Sequence, residues 1–196
     1  QDTFGRCNAA GMVTDDFTQG KFIIEAVLDN SGEVSDDALR NAFRRWMDYP
    51  FYPNFTGPTT RAAMQRIFND PRPSLQGDAE AGEPKQDVVL VNNGNASATN
   101  GAAMKAWSAS FLSLETPEEL IAKTYEIARF THDNVISVSG ACAISSAVNA
   151  ALSDGVSLED VIALAIKGAD QGYSHAERNG AMVMAGPSVA RRIELA

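Results

Sequence analysis

The segment MVTDDFTQ at residues 12–19 places two adjacent carboxylates, Asp15 and Asp16, directly after the hydroxyl of Thr14. Apolar residues begin to recur at helical spacing just beyond it, over residues 22–28. One interpretation is a helix cap at Thr14 or Asp15, because the first turn of a helix has unpaired N–H groups and a partial positive charge. The other is half of an oxygen-donor site for Mg2+, Mn2+ or Ca2+, since adjacent like charges repel unless a cation lies between them. The segment alone leaves both interpretations open.

Helix signals follow along the rest of the chain, separated by proline and glycine. The predicted helices are Asp15–Asp29, a Ser35-capped helix ended by Pro50, a helix from Thr59 or Thr60, one from about Ala102 to Trp107, a Thr116-capped helix to Phe130, Val135–Leu152, a Ser157-capped helix to Ala169, and Val189–Leu195. The only strand-like run is Val88–Val91, and four residues do not make a sheet. The sequence therefore predicts an all-α fold.

Two polar segments stand out between the helices. Residues 69–87 hold three prolines and are predicted to be a solvated loop within a single domain spanning residues 1–196. Residues 92–101 are small and polar and lead directly into a helix, an arrangement that lets backbone N–H groups approach a phosphate. The same composition is also typical of simple turns, so this loop alone does not decide between the two.

Composition excludes some classes of function. The 196 residues carry a formal net charge of −9, which disfavours nucleic-acid binding over a broad surface. No apolar run reaches the roughly 18 residues of a membrane span, and no secretory signal is visible, so we expect a cytoplasmic protein without a membrane partner. Two distant cysteines make no disulfide framework, and Cys142 is predicted to be a buried free thiol.

Four segments, in order, resemble motifs of the ADP-ribosylglycohydrolase family. They are VTDDFTQ at 13–19, GPTTR at 57–61, SATNGAAMK at 97–105 and ARFTH at 128–132. The chain departs from the family pattern where Phe17 stands for Thr, Thr99 for Gly and Lys105 for Arg. It also departs in lacking the first helix and the C-terminal Gly-Gly-Asp-x-Asp-Thr motif that members usually carry. The resemblance implies an orthogonal multi-helix bundle of the ADP-ribosylglycohydrolase type.

The resemblance implies metal-dependent hydrolysis of the glycosidic bond that links ADP-ribose to a protein side chain or a small acceptor. Thr14, Asp15 and Asp16 would hold Mg2+ or Mn2+, and Asp15 or Asp16 would take a proton from the attacking water. A dinuclear site would form if a second chain or a missing segment supplied the remaining ligands. The expected partner is an ADP-ribosylated protein or a small ADP-ribose conjugate.

The remaining motifs would bind the ligand. Ser97, Thr99, Asn100 and Gly101 would hold the diphosphate or its ribose, and His132 would touch the distal ribose or phosphate. His132 also falls at the predicted end of a helix, where the helix dipole favours a cationic imidazole.

Two alternatives to the enzyme remain. One is a non-catalytic family member, a structural or ADP-ribose-binding protein like the J1 crystallins, which would account for the missing C-terminal motif. The other is a helical scaffold that binds no small ligand, which would leave the polar loop at 92–101 unexplained.

Overall fold

The computed structural model describes residues 11–50, 52–69, 97–112 and 115–196. The helices are α1 (Asp15–Asp29), α2 (Asp36–Met47), α3 (Tyr52–Phe55), α4 (Pro58–Phe68), α5 (Ala103–Ala106), a 3-10 segment (Trp107–Phe111), α6 (Pro117–Arg129), α7 (Val135–Ala151), α8 (Leu158–Arg178) and α9 (Val189–Glu194). Within these ranges the only β-type pairing is an isolated bridge between Asn134 and Met182. The predicted all-α fold is therefore confirmed. The strand-like run Val88–Val91 and nearly all of the polar segment 69–87 lie outside the described residues.

Three predicted helix starts are confirmed by their caps. Ser35, Thr116 and Ser157 each accept a hydrogen bond from a first-turn backbone N–H through the side-chain oxygen. At Ser157 the carboxylate of Asp160 also accepts from the Ser157 backbone N–H, which completes a capping box. These caps stabilise the first turns of α2, α6 and α8 by roughly 1 kcal/mol each.

Several helix boundaries differ from the prediction. Helix α8 continues to Arg178 instead of ending at Ala169, because its glycines lie against α7 and this packing outweighs their low helix propensity. Helix α4 begins at Pro58, where the fixed φ of proline suits the first helical position. The helix expected over Ala102–Trp107 is a single α-turn that continues as the 3-10 segment.

Helix α7 packs closely against α8 because small residues line the contact. A Cβ atom on Gly168 would lie 2.6 Å from the backbone oxygen of Cys142, and one on Gly172 would lie 2.5 Å from Cys142 Cβ. Cys142 is a fully buried free thiol, as predicted, and burial raises its pKa to about 12. Its thiolate is therefore scarce at neutral pH.

Replacing Gly168 with Ala is expected to destabilise the protein by about 1–3 kcal/mol, the usual cost of overpacking a tight contact. The matched control is Gly140→Ala in α7, where an added Cβ meets nothing within 4 Å. That control is expected to be neutral or to stabilise by up to about 1 kcal/mol, because alanine favours the helix. Urea unfolding of the two variants checks this, and equal stabilities would contradict the close α7–α8 contact.

Aromatic packing holds the N terminus of α1 in place. The Trp46 indole, fully buried in α2, donates a hydrogen bond to Thr18 Oγ1 in α1 at 3.0 Å. From the other side, the Trp107 indole donates to the backbone oxygen of Asp16 at 3.2 Å, and Gly20 leaves the space that the Trp107 ring fills. These contacts determine where the Thr14-Asp15-Asp16 segment lies.

Among the described helices, none combines the length and apolar character needed to cross a bilayer.

Candidate functional site

A cavity of about 230 Å3 lies where three motifs meet. It is formed by the start of α1, the start of α4 and the loop that leads into α5. Its lining residues are Asp15, Gly57, Pro58, Thr59, Thr60, Thr99, Asn100, Gly101 and Met104. Three of the four sequence motifs thus contribute directly to one concave site, as expected for a small-molecule pocket.

The first turn of α1 supports parts of both interpretations of its acidic pair. Thr14 occupies the N-cap position of the backbone, but its side chain makes no capping hydrogen bond. Its hydroxyl instead donates to Asp16 Oδ2 at 2.9 Å. Asp15 is half-buried and lines the cavity, whereas Asp16 is exposed beside it. Asp15 is therefore the member of the acidic pair that lines the cavity.

The chemistry of these donors fits a hard cation. Hydroxyl and carboxylate oxygens are preferred ligands of Mg2+, which commonly takes one or two protein carboxylates and completes its shell with water and substrate phosphate. Gln19, one turn after Asp15, is 1% exposed, and neither of its amide atoms has a hydrogen-bond partner among the described residues. Within those residues no group of three His, Cys, Asp or Glu side chains could hold a metal alone. Thr14, Asp15 and Asp16 can thus supply part of a coordination shell.

The start of α4 gives the cavity a positive electrostatic end. Thr59 and Thr60 lie in the first turn of this 11-residue helix, after Gly57 at the N-cap and Pro58 at the first position. The first-turn N–H groups of a helix carry partial positive charge and favour an anionic ligand. The sequence analysis took these residues as a helix start and did not include them among the ligand-binding residues, although the GPTTR motif was the available signal.

The predicted ligand residues of the 97–101 loop divide into two groups. Thr99, Asn100 and Gly101 line the cavity. Ser97 does not, because its backbone oxygen accepts hydrogen bonds from Asn134 Nδ2 at 3.2 Å and Ser137 Oγ at 3.4 Å. Ser97 therefore anchors the loop to the start of α7.

His132 lies behind the cavity wall as a buried, neutral imidazole. Its side chain is 0% exposed, with Nε2 at 2.8 Å from Thr99 Oγ1 and Nδ1 at 2.8 Å from Thr131 Oγ1. Burial, together with nearby Lys105, lowers the pKa of His132 from 6.5 to about 3. The expectation of a cationic imidazole at the helix end is therefore wrong, since desolvation outweighs the helix dipole.

Lys105 is a further residue near this site that the sequence analysis did not select. Its ammonium is 0% exposed and donates to the backbone oxygen of Gly101 and to Thr131 Oγ1, both at 2.7 Å. Burial lowers the pKa of Lys105 from 10.5 to about 7, an effect that the Asp15 carboxylate partly offsets. The available signal was its place in the SATNGAAMK motif, four residues after Gly101.

Aromatic side chains form a stack beside the acidic pair. The ring of Phe17 stacks on Trp107 with centroids 5.7 Å apart, and Phe111 meets Trp107 edge-on at 5.8 Å. Phe17 thus covers one face of the indole, so Trp107 is mainly a packing residue. Phe17 itself is 48% exposed.

A second cavity, of about 270 Å3, lies between α6 and α8 and contains no residue of the four motifs. Its lining includes Glu118, Asp170, His175 and Arg178. His175 is half-buried, and its ring lies 5.1 Å from that of Tyr125. The chemistry-bearing motifs converge on the first cavity, which we take as the candidate site.

Comparison with known proteins identifies the family. The sequence model of the ADP-ribosylglycohydrolase family matches residues 1–196, the whole of this chain. No curated protein and no solved structure gave a significant match. The match agrees with the all-helical fold and with the order of the four motifs. The chain therefore belongs to the ADP-ribosylglycohydrolase family, and the activity that this membership supports is that of a glycohydrolase.

Proposed function

We propose that this protein hydrolyses the glycosidic bond between ADP-ribose and a protein side chain or small acceptor, with Mg2+ or Mn2+ bound at Thr14, Asp15 and Asp16. The observation that carries the proposal is the convergence of Asp15 with Thr99, Asn100 and Gly101 on one cavity. An acidic residue and polar loop residues line the same cavity, and the start of α4 adds a positive electrostatic end. This combination suits an anionic ligand that contains a reactive glycosidic bond.

The proposed chemistry follows from the charge that develops at the ribose. Glycosidic cleavage passes through an oxocarbenium-like transition state, which a carboxylate stabilises and which an activated water traps. We assign to Asp15 the acceptance of a proton from that water, and its position in the cavity lining supports this role. A bound cation would orient the ribose hydroxyls and lower the pKa of a coordinated water. Asp16, held by the hydroxyl of Thr14, would contribute a second oxygen donor.

The anionic part of the ligand would lie against the loop and α4. Asn100 contributes a polar side chain, Gly101 contributes a backbone without a side chain, and Thr59 and Thr60 contribute first-turn positions of the helix. Local partial charges of this kind hold one diphosphate even on a chain with a net charge of −9. The same net charge supports a partner other than nucleic acid.

The second candidate is a family member that binds ADP-ribose without cleaving it. It is favoured by the absence, among the described residues, of any group of three metal-ligating His, Cys, Asp or Glu side chains. The two candidates differ in turnover. The deciding assay measures ADP-ribose released from arginine-, serine- and carboxylate-linked conjugates, in Mg2+ or Mn2+ and in EDTA. Metal-dependent release supports the enzyme, and binding without release from any conjugate supports the alternative.

Gly101→Ala is expected to weaken ADP-ribose binding by about tenfold or more. An added Cβ would lie 2.6 Å from His132 Cε1 and 3.4 Å from Thr60 Oγ1, so the loop must move away from the cavity wall. Calorimetric titration of the variant measures the effect, with Gly140→Ala as the control that has open space for its methyl group. Unchanged affinity in Gly101→Ala would contradict the assignment of the loop to the ligand.

A further inference from the structure

A chain of hydrogen bonds runs from a buried cation to the cavity. Lys105 Nζ lies 2.7 Å from Thr131 Oγ1, which lies 2.8 Å from His132 Nδ1. His132 Nε2 lies 2.8 Å from Thr99 Oγ1, and Thr99 is the member that lines the cavity. The first three side chains are each 0% exposed. If one of these hydrogen bonds is lost, water therefore cannot take the place of the missing partner.

The donors and acceptors of the chain follow from its buried end. Below its pKa of about 7, Lys105 is an ammonium, which can only donate, so Thr131 Oγ1 accepts from it and retains one hydroxyl hydrogen to donate. Among the described residues, the only other partner of this oxygen is His132 Nδ1. If Nδ1 carried the proton, the Thr131 hydroxyl hydrogen would have no acceptor, at a cost of about 1–3 kcal/mol for a buried group. The favoured arrangement has Thr131 donating to an unprotonated Nδ1.

The same logic extends to the cavity. A neutral imidazole with an unprotonated Nδ1 carries its hydrogen on Nε2, which donates to Thr99 Oγ1. The oxygen of Thr99 is then an acceptor toward His132, and its own hydrogen is available to a ligand. A diphosphate oxygen can only accept a hydrogen bond, so it is the complementary group.

We propose that Lys105 and Thr131 are positioning residues that hold His132 as the Nε2–H tautomer, so that Thr99 donates its hydroxyl hydrogen to a diphosphate oxygen of the ligand. The sequence analysis expected His132 to touch the ligand. In this proposal Thr99, which lies between His132 and the cavity, makes that contact. The identity of the ligand rests on the proposed function, whereas the direction of the hydrogen bonds is a property of the ligand-free protein. Lys105 also holds the backbone oxygen of Gly101, so one ammonium orients both the loop and the imidazole.

The first test is the 15N spectrum of the two imidazoles in ligand-free protein at pH 6, where Lys105 is protonated and His132 is neutral, with the His175→Gln variant assigning the signals. The wild type is expected to show His132 protonated at Nε2 alone. Thr131→Val is expected to shift His132 toward a tautomer mixture, whereas Thr131→Ser retains the wild-type pattern. An Nδ1–H tautomer in the wild type would overturn the proposal without any variant, and so would a Thr131→Val spectrum identical to the wild type. If Thr131→Val fails to fold, Lys105→Met takes its place, with the same expected shift.

The second test titrates ADP-ribose and inorganic pyrophosphate into wild type, Thr99→Val and Thr99→Ser. Loss of the hydroxyl in Thr99→Val is expected to weaken the affinity for both ligands by about tenfold. Thr99→Ser keeps a hydroxyl and is expected to retain the wild-type affinity. If the wild type binds ADP-ribose and Thr99→Val binds it equally well, this inference fails while the proposed function stands. If the wild type shows the Nε2–H tautomer and binds neither ligand, the proposed function fails together with the ligand contact at Thr99.

Discussion

Asp15→Asn is expected to lower metal-dependent release of ADP-ribose by about 10²–10⁴-fold, the usual contribution of a positioned general base. The amide keeps the size of the side chain but cannot accept the proton of water, and it is a weaker ligand for a divalent cation. Asp15 is the member of the acidic pair that lines the cavity. Asp16→Asn is expected to abolish turnover as well, through loss of a metal ligand that Thr14 orients. Release is measured under saturating Mg2+.

The chain offers a matched control for these substitutions. Asp36 and Asp37 follow Ser35 at the start of α2, just as Asp15 and Asp16 follow Thr14 at the start of α1. Asp37→Asn is expected to leave turnover unchanged and to cost only a few tenths of a kcal/mol of stability, because it removes one exposed charge near a helix terminus. Asp15→Asn with wild-type turnover and wild-type metal dependence would contradict the assignment of Asp15 to the reaction.

Lys105→Met is expected to change stability in a strongly pH-dependent manner. Between pH 10.5 and pH 7 the unfolded chain holds a proton on Lys105 that the folded protein has largely released. Wild-type stability therefore rises with pH across this window, and it is lost as pH falls toward 7. Methionine has no such proton. The unfolding free energy of the variant minus that of wild type should be larger at pH 6 than at pH 9 by about 2–3 kcal/mol. This follows from roughly 1.4 kcal/mol per pKa unit.

The measurement is the free energy of unfolding in urea at the two pH values, in EDTA so that no cation binds near Asp15. Each variant is compared with wild type at the same pH, which removes the contribution of other titrating groups. Lys167→Met, on the exposed side of α8, is the control. Its unfolding free energy should differ from that of wild type by the same amount at both pH values. A pH-independent effect of Lys105→Met would mean that Lys105 keeps an ordinary pKa in the folded protein.

Local sequence signals predicted the helices that carry side-chain caps. Ser35, Thr116 and Ser157 satisfy backbone N–H groups within their own first turn, so the information lies within a few residues. The end of α8 could not be obtained in this way, because it depends on the fit of Gly168 and Gly172 against α7. The apolar pattern of a single segment carries no information about packing between two helices.

The candidate site was predictable as a set of motifs but not as an arrangement. Asp15, Thr99, Asn100 and Gly101 were expected to act together, and they meet at one cavity. The roles of Ser97 and His132 depend on burial, which places one as a loop anchor and the other behind Thr99. Lysine is seldom fully buried, so the sequence offered little reason to expect Lys105 inside the protein.

The most direct test of the central claim is a calorimetric titration of ADP-ribose into this protein, first with Mg2+ and then with EDTA. We expect saturable binding of one ADP-ribose per chain in Mg2+, weakened at least tenfold in EDTA and in Asp15→Asn. Binding of equal strength in both conditions would contradict a metal site at Asp15 and favour a non-catalytic ADP-ribose-binding role. No binding in either condition would contradict the assignment of this cavity to ADP-ribose.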